Sequence, residues 1–317
     1  MPITNVCVYG CGVIGSAWAV TFLIKGINVT VFVRHEEKVP ANRADIDRAL
    51  DFFAMPGIDV LSADQLADCK QRLRFTTDIE TAVKDAQFIQ ENGPENIEEK
   101  HAIFEAIERF NTDAIIASST SGLLISDIAA KAAYPERILG GHPYNPVYLI
   151  PLVELASGDK TSQKTLDDAC EFYKAVGKEP VVLAKECPGF ICNRIQMAVN
   201  REAQDLVYRG VCSVEDVDKA VTFGPGLRWA LMGPHMIQEL GGGKEGIRGI
   251  MTHIDTRPWY EDMATWTVVP DGYIDIACEG VKSELSKRSA KEGRTHDDLA
   301  RFRDVGLVNL LKFHDKL

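Results

Sequence analysis

The run Gly10-Cys11-Gly12-Val13-Ile14-Gly15 restricts the fold of this chain more than any other feature in it. Glycines at that spacing suit a strand-to-helix turn. The first makes the turn, the second lets the backbone approach a pyrophosphate, and the third lets helix pack closely on strand. Residues 3–9 ahead of it read as a short strand, and an apolar stretch from about Ile14 to Lys25, closed by Gly26, reads as a helix. Residues 28–33 read as a second strand, which completes one βαβ unit. In that setting Gly10, Gly12, Val13, Ile14 and Gly15 are expected to meet a dinucleotide, with helix amides facing its phosphates.

Further strand-like runs follow at 72–76, 87–91, 114–118 and 137–141, with helical stretches such as Glu98 to Phe110 between them. That alternation predicts an α/β architecture: a Rossmann-type, doubly wound parallel sheet. After about residue 185 the character changes. Arg194 to Arg209 places apolar residues at helical spacing, and Ser213 with Asp216 suits the start of another helix. The expected organisation is a dinucleotide-binding domain over 1–186 and an all-α domain over 187–317, divided near Cys187-Pro188-Gly189.

At 317 residues, 45% apolar and 26% charged, the chain is of ordinary globular composition and long enough for two domains. A net charge of −11 disfavours nucleic acid as a partner. No apolar run reaches the roughly 18 residues of a membrane span, and the N-terminus has no basic leader pattern. Eight scattered cysteines without metal spacing read as buried free thiols in a reducing cytoplasm. No metal site is expected.

The second strand ends unusually for an NAD site. An Asp or Glu about 20 residues beyond the glycines ordinarily binds the adenosine ribose hydroxyls. Val33 stands there, followed by Arg34. Valine accepts no hydrogen bond, whereas Arg34 suits a 2′-phosphate. Two readings stay open: Arg34 admits NADP, or it is a solvated loop residue and NAD binds without the acid.

Hydride transfer at a hydroxyl-bearing carbon needs a partner for the hydroxyl proton, and histidine suits that near neutral pH. His142, in Gly140-Gly-His-Pro-Tyr-Asn-Pro146, follows a strand-like run, where parallel sheets bind ligands. Glu154 lies in the apolar run Pro151-Leu-Val-Glu-Leu-Ala156, either facing solvent or orienting the imidazole.

Ser118-Ser-Thr-Ser-Gly-Leu123, Gly141-His-Pro-Tyr-Asn-Pro146, Pro151-Leu-Val-Glu154 and Pro188-Gly-Phe-Ile-Cys-Asn-Arg194 together resemble the 3-hydroxyacyl-CoA dehydrogenase family, in order and over nearly the whole chain. The resemblance implies an N-terminal NAD-binding domain, a helical C-terminal domain and a homodimer formed through the latter. It implies His142 as general base paired with Glu154, and Ser121 and Asn193 as holders of the reacting oxygen. Asn145 would help build the site, and Glu95 and Lys100 would meet the cofactor near its nicotinamide half.

Within the family, Val147-Tyr-Leu149, Leu227-Arg-Trp229 and Gly241-Gly-Gly243 look closer to the branch acting on small free 3-hydroxy acids, carnitine in particular. Gulonate, a 3-hydroxyacyl-CoA, or a crystallin-like role without catalysis are the alternatives. The four reactive residues argue against the last. A carnitine needs a cation for its carboxylate, for which Arg228 is the candidate, and an aromatic wall for its quaternary ammonium. Tyr144, Trp229, Phe223, Tyr148, Trp259 and Trp266 are the aromatic candidates, although such residues also serve packing.

Overall fold

The computed structural model describes residues 2–317. Its contacts divide the chain into two compact units, one running to Asn193 and taking back Leu307–Leu317, the other Arg194–Gly306. The division falls a little beyond the boundary expected at 186/187, and the last residues return to the first unit.

In the first unit the strands are β1 (Asn5–Tyr9), β2 (Asn28–Phe32), β3 (Leu73–Thr76), β4 (Phe88–Glu91), β5 (Ile115–Ser118), β6 (Ile138–Pro143), β7 (Leu152–Ser157) and β8 (Glu179–Val182). The helices are α1 (Val13–Ile24), α2 (Val39–Phe53), α3 (Ala63–Gln71), α4 (Ile79–Val83), α5 (Ile97–Glu108), α6 (Ile125–Ile128) and α7 (Gln163–Ala175); α8 (Cys192–Tyr208) leads out of it. The strands form one sheet in the order β3-β2-β1-β4-β5-β6-β7-β8. The order reverses beside β1, the crevice at which open α/β sheets bind their ligands.

Alternation along each strand builds two cores. Val6, Val8, Val29 and Val31 face one side with Trp18, Phe22 and Phe172; Cys7, Tyr9 and Phe32 face the other with Phe104 and Ile107. Helix α1 is buried along most of its length, Ala17 through Leu23, which is why its sequence is apolar nearly all round. Burying a side chain such as Phe22 or Leu23 there contributes roughly 1.5–3 kcal/mol.

The expectation of a parallel sheet needs one correction. Six of the seven neighbouring strand pairs are parallel, but β6 and β7 pair antiparallel, with His142 opposite Glu154. Strands β7 and β8 were not apparent in the sequence. The first is an apolar run interrupted by a carboxylate, and the second is short and mostly exposed. The eight cysteines are free, but only Cys7 and Cys69 are fully buried and Cys278 is exposed, so burial explains two of them.

The second unit is helical, with no strand among its described residues. Ser213 caps the helix Val214–Phe223 by accepting from the Asp216 amide at 3.1 Å, as its spacing suggests. No helix among the described residues is long and apolar enough to cross a membrane.

Candidate active site

The glycine turn is built from backbone. Gly10 adopts φ +87°, in the left-handed region, and a Cβ there would come within 2.9 Å of the Asn92 carbonyl oxygen. A Cβ on Gly15 would lie 2.0 Å from the Gly10 oxygen, so only glycine lets α1 meet β1 at this distance. At Gly12, by contrast, a Cβ would meet nothing within 4 Å. The space before α1 is open, no side chain caps that helix, and its first turn holds no acidic residue. Free amides, a positive dipole end and open space fit a pyrophosphate. Val13 is exposed beside this space, and Ile14 packs partly into the core.

The candidate reactive residues meet at the carboxyl end of β6. The β6–β7 register sets His142 across from Glu154, and His142 Nδ1 lies 2.8 Å from Glu154 Oε2, both residues buried. Cross-strand neighbours on one face of an antiparallel pair are the closest side-chain partners a sheet provides. Glu154 Oε1 accepts from the amides of Ile191 and Cys192 at 2.8 and 3.0 Å, where α8 begins. Burial would raise the Glu154 pKa, but the His142 bond and these two amides outweigh it and hold the carboxyl below its usual value. Glu154 is therefore a fixed anion. With Nδ1 committed to it, His142 Nε2 carries no hydrogen bond among the described residues and is the nitrogen left for a substrate proton.

The same carboxylate fixes the start of α8, whose Asn193 Nδ2 donates to the Ser121 carbonyl oxygen at 3.1 Å. Ser121 is exposed, and its loop is held from beneath by Glu95, whose Oε1 accepts from Thr120 Oγ1 at 2.7 Å and from the Ser121 and Gly122 amides at 2.8 and 3.0 Å. His142, Glu154, Asn193 and Ser121 thus belong to one connected cluster. Tyr144, half-buried, borders it: burial raises its pKa, and the nearby Cys192 and Glu154 add to the rise. Asn145, next along, is exposed.

Lys100 is a correction. It is 1% exposed, and its ammonium bonds Glu91 Oε1 and Oε2 at 2.8 and 2.7 Å and the Gly93 carbonyl at 3.1 Å. Its three donors are used inside the protein, so it fixes the loop leading to Glu95 and does not reach a cofactor. Tyr148 is partly buried, and its ring packs edge-on against Phe53 at 5.8 Å, against the core. Trp266 donates its indole N–H to Asp205 at 3.2 Å, a bond within the second unit. Arg228 and Trp229 lie on the short helix Pro225–Trp229 of that unit, both exposed, and Phe223 and Trp259 are exposed as well.

Several supporting residues escape sequence reading. Phe190 is buried at φ +50° and sets its ring 5.3 Å from the His142 ring; the flanking Pro188-Gly189 is the only hint of it. Glu91 is wholly buried and accepts from Ser118 Oγ at 2.6 Å besides Lys100. Gln90 donates to Ser119 Oγ at 2.9 Å and the Gly141 carbonyl at 3.3 Å while accepting from Tyr173 Oη at 2.6 Å. No spacing rule joins residues 83 apart.

The geometry is that of a hydroxyl-oxidising dehydrogenase, and comparison with known proteins agrees. The family model for the NAD-binding domain of 3-hydroxyacyl-CoA dehydrogenase matches residues 5–187, and that for its C-terminal domain matches 189–274. The chain belongs to the 3-hydroxyacyl-CoA dehydrogenase family. It is 38% identical to an L-carnitine dehydrogenase of Burkholderia mallei over 95% of this chain and 91% of that one. It is 39% identical to a 3-hydroxyacyl-CoA dehydrogenase of Gibberella moniliformis, covering 82% and 81%. Among solved structures, a 5-formyl-3-hydroxy-2-methylpyridine 4-carboxylic acid 5-dehydrogenase, an NAD+-dependent dismutase, superposes with a TM-score of 0.80 at 30% identity, covering 98% of each chain. The family carries out oxidoreductase chemistry on a Rossmann domain that binds a nicotinamide cofactor.

Proposed function

We propose that this member oxidises the C3 hydroxyl of a small free 3-hydroxy acid, carnitine or a close analogue, to the 3-keto acid in the cytoplasm. The observation that carries the reading is the buried His142–Glu154 pair with Nε2 unengaged, beside Ser121 and Asn193. A bound nicotinamide supplies the hydride acceptor. His142 Nε2 takes the hydroxyl proton, and Glu154, already ionised, stabilises the imidazolium that results. The Ser121 hydroxyl and the Asn193 amide hold the oxygen as it becomes a carbonyl. Arg228 is assigned to the substrate carboxylate and Tyr144 and Trp229 to its cationic end, with Asn145 bordering the site; a homodimer through the C-terminal domain completes the reading.

A CoA thioester is the second reading, favoured by the similarity to the fungal 3-hydroxyacyl-CoA dehydrogenase. Following NADH formation spectrophotometrically with L-carnitine, L-gulonate and 3-hydroxybutyryl-CoA decides between them. The highest kcat/KM is expected with L-carnitine. Turnover of the thioester alone would overturn the free-acid assignment.

A further inference from the structure

The carboxyl end of β2 lacks the acid that an NAD site ordinarily presents, and the structure shows an acid arriving from elsewhere. Arg34 Nη2 lies 2.8 Å from Glu99 Oε2. Glu99 belongs to the first turn of α5, where its amide donates to the Asn96 cap at 3.0 Å. The pair therefore joins the segment after β2 to the helix after β4. Those two strands flank β1 on either side, so the link crosses the carboxyl edge of the sheet beside the glycine turn. Only Oε2 is engaged. Glu99 Oε1 has no hydrogen-bond partner among the described residues, and the side chain is 43% exposed.

Taken alone, Arg34 is a cation that would attract a 2′-phosphate. Paired, it is neutralised, and the group that accompanies it is an acceptor with an oxygen to spare. We propose that Glu99, held in place by Arg34, substitutes for the missing acid: it accepts from the adenosine ribose hydroxyls and repels a 2′-phosphate, so that the chain selects NAD over NADP. A phosphate ester brings a charge of about −1.5 to −2 against this carboxylate, whereas a diol brings two donors and no charge. The inference rests on the dinucleotide reading of the glycine turn. Exposed ion pairs contribute little to folding, so variants of either residue keep the fold intact.

The test is direct binding of NADH and of NADPH to the whole protein, by calorimetry, for the wild type, Glu99→Gln, and Glu99→Gln combined with Arg34→Ala. The wild type is expected to bind NADH at least about tenfold tighter than NADPH. Glu99→Gln frees Arg34 and lowers the NADPH Kd by about tenfold or more while weakening NADH a few-fold; the double variant loses the NADPH gain. A wild type that binds NADPH as tightly as NADH, or a ratio that Glu99→Gln leaves unchanged, overturns the assignment of Glu99 alone. Binding of neither dinucleotide overturns the cofactor reading and this inference with it.

Discussion

The glycine turn at β1–α1 and the histidine site at β6–β7 are built in opposite ways. The turn is six consecutive residues, and what it offers is backbone: a left-handed Gly10, a close approach at Gly15 and open amides at the start of α1. The histidine site draws on Ser121, His142, Glu154 and Asn193, each from a different segment, and what it offers is side chains. On the proposed function the first binds and the second reacts. A site made of consecutive backbone survives any change that keeps its glycines, whereas a site made of side chains depends on strand register and on a helix start far along the chain.

Breaking the two regions separately should therefore give different losses. The largest effect is expected from His142→Gln. Turnover should fall by roughly 10²–10⁴, the range supplied by a positioned general base, while the Kd for NADH, read by fluorescence titration, stays near the wild-type value. Unchanged turnover would remove the base from His142. Gly15→Ala tests the other region. Its Cβ would have to displace the Gly10 carbonyl, so dinucleotide binding should fail and the protein should lose about 1–3 kcal/mol or more of stability in denaturant titration. Full binding at wild-type stability would show that the turn tolerates a side chain.

The smallest effect sharpens the comparison. The Glu154 carboxyl is held below its usual value in the folded protein, so the bonds it makes add stability that is fully present above the unfolded carboxylate pKa. That contribution is lost as pH falls through the depressed folded value. The melting-temperature advantage of the wild type over Glu154→Gln should be constant near neutrality and shrink in acid below the ordinary glutamate range. A difference that grows on acidification would contradict the ionised pair.

Much of the first region was legible because its cause is local. Glycine spacing, a β-branched run and an apolar helix all lie within about 30 residues, and steric rules translate them directly into a βαβ unit. The second region was legible in part. His142 is marked by its glycines and prolines, yet Glu154 could be read either as solvent-facing or as its partner until β7 was seen to fold back antiparallel on β6. Lys100 differs for a related reason: the resemblance implies a cofactor contact for it, and only packing showed it enclosed with Glu91. Phe190 against His142 is hinted at only by the flanking Pro188-Gly189, and Gln90 between Tyr173 and Gly141 left no local mark at all.

By itself, then, the sequence determined the kind of sheet, the glycine turn and the residues proposed to react, because propensity and steric constraint act over a few residues. Only the tertiary structure decided which carboxylate orients His142, which cation is buried, and that Arg34 at the end of β2 is answered by Glu99 from α5. Ionic and hydrogen-bond partners are chosen by distance in space, and that distance is set by how strands and helices pack.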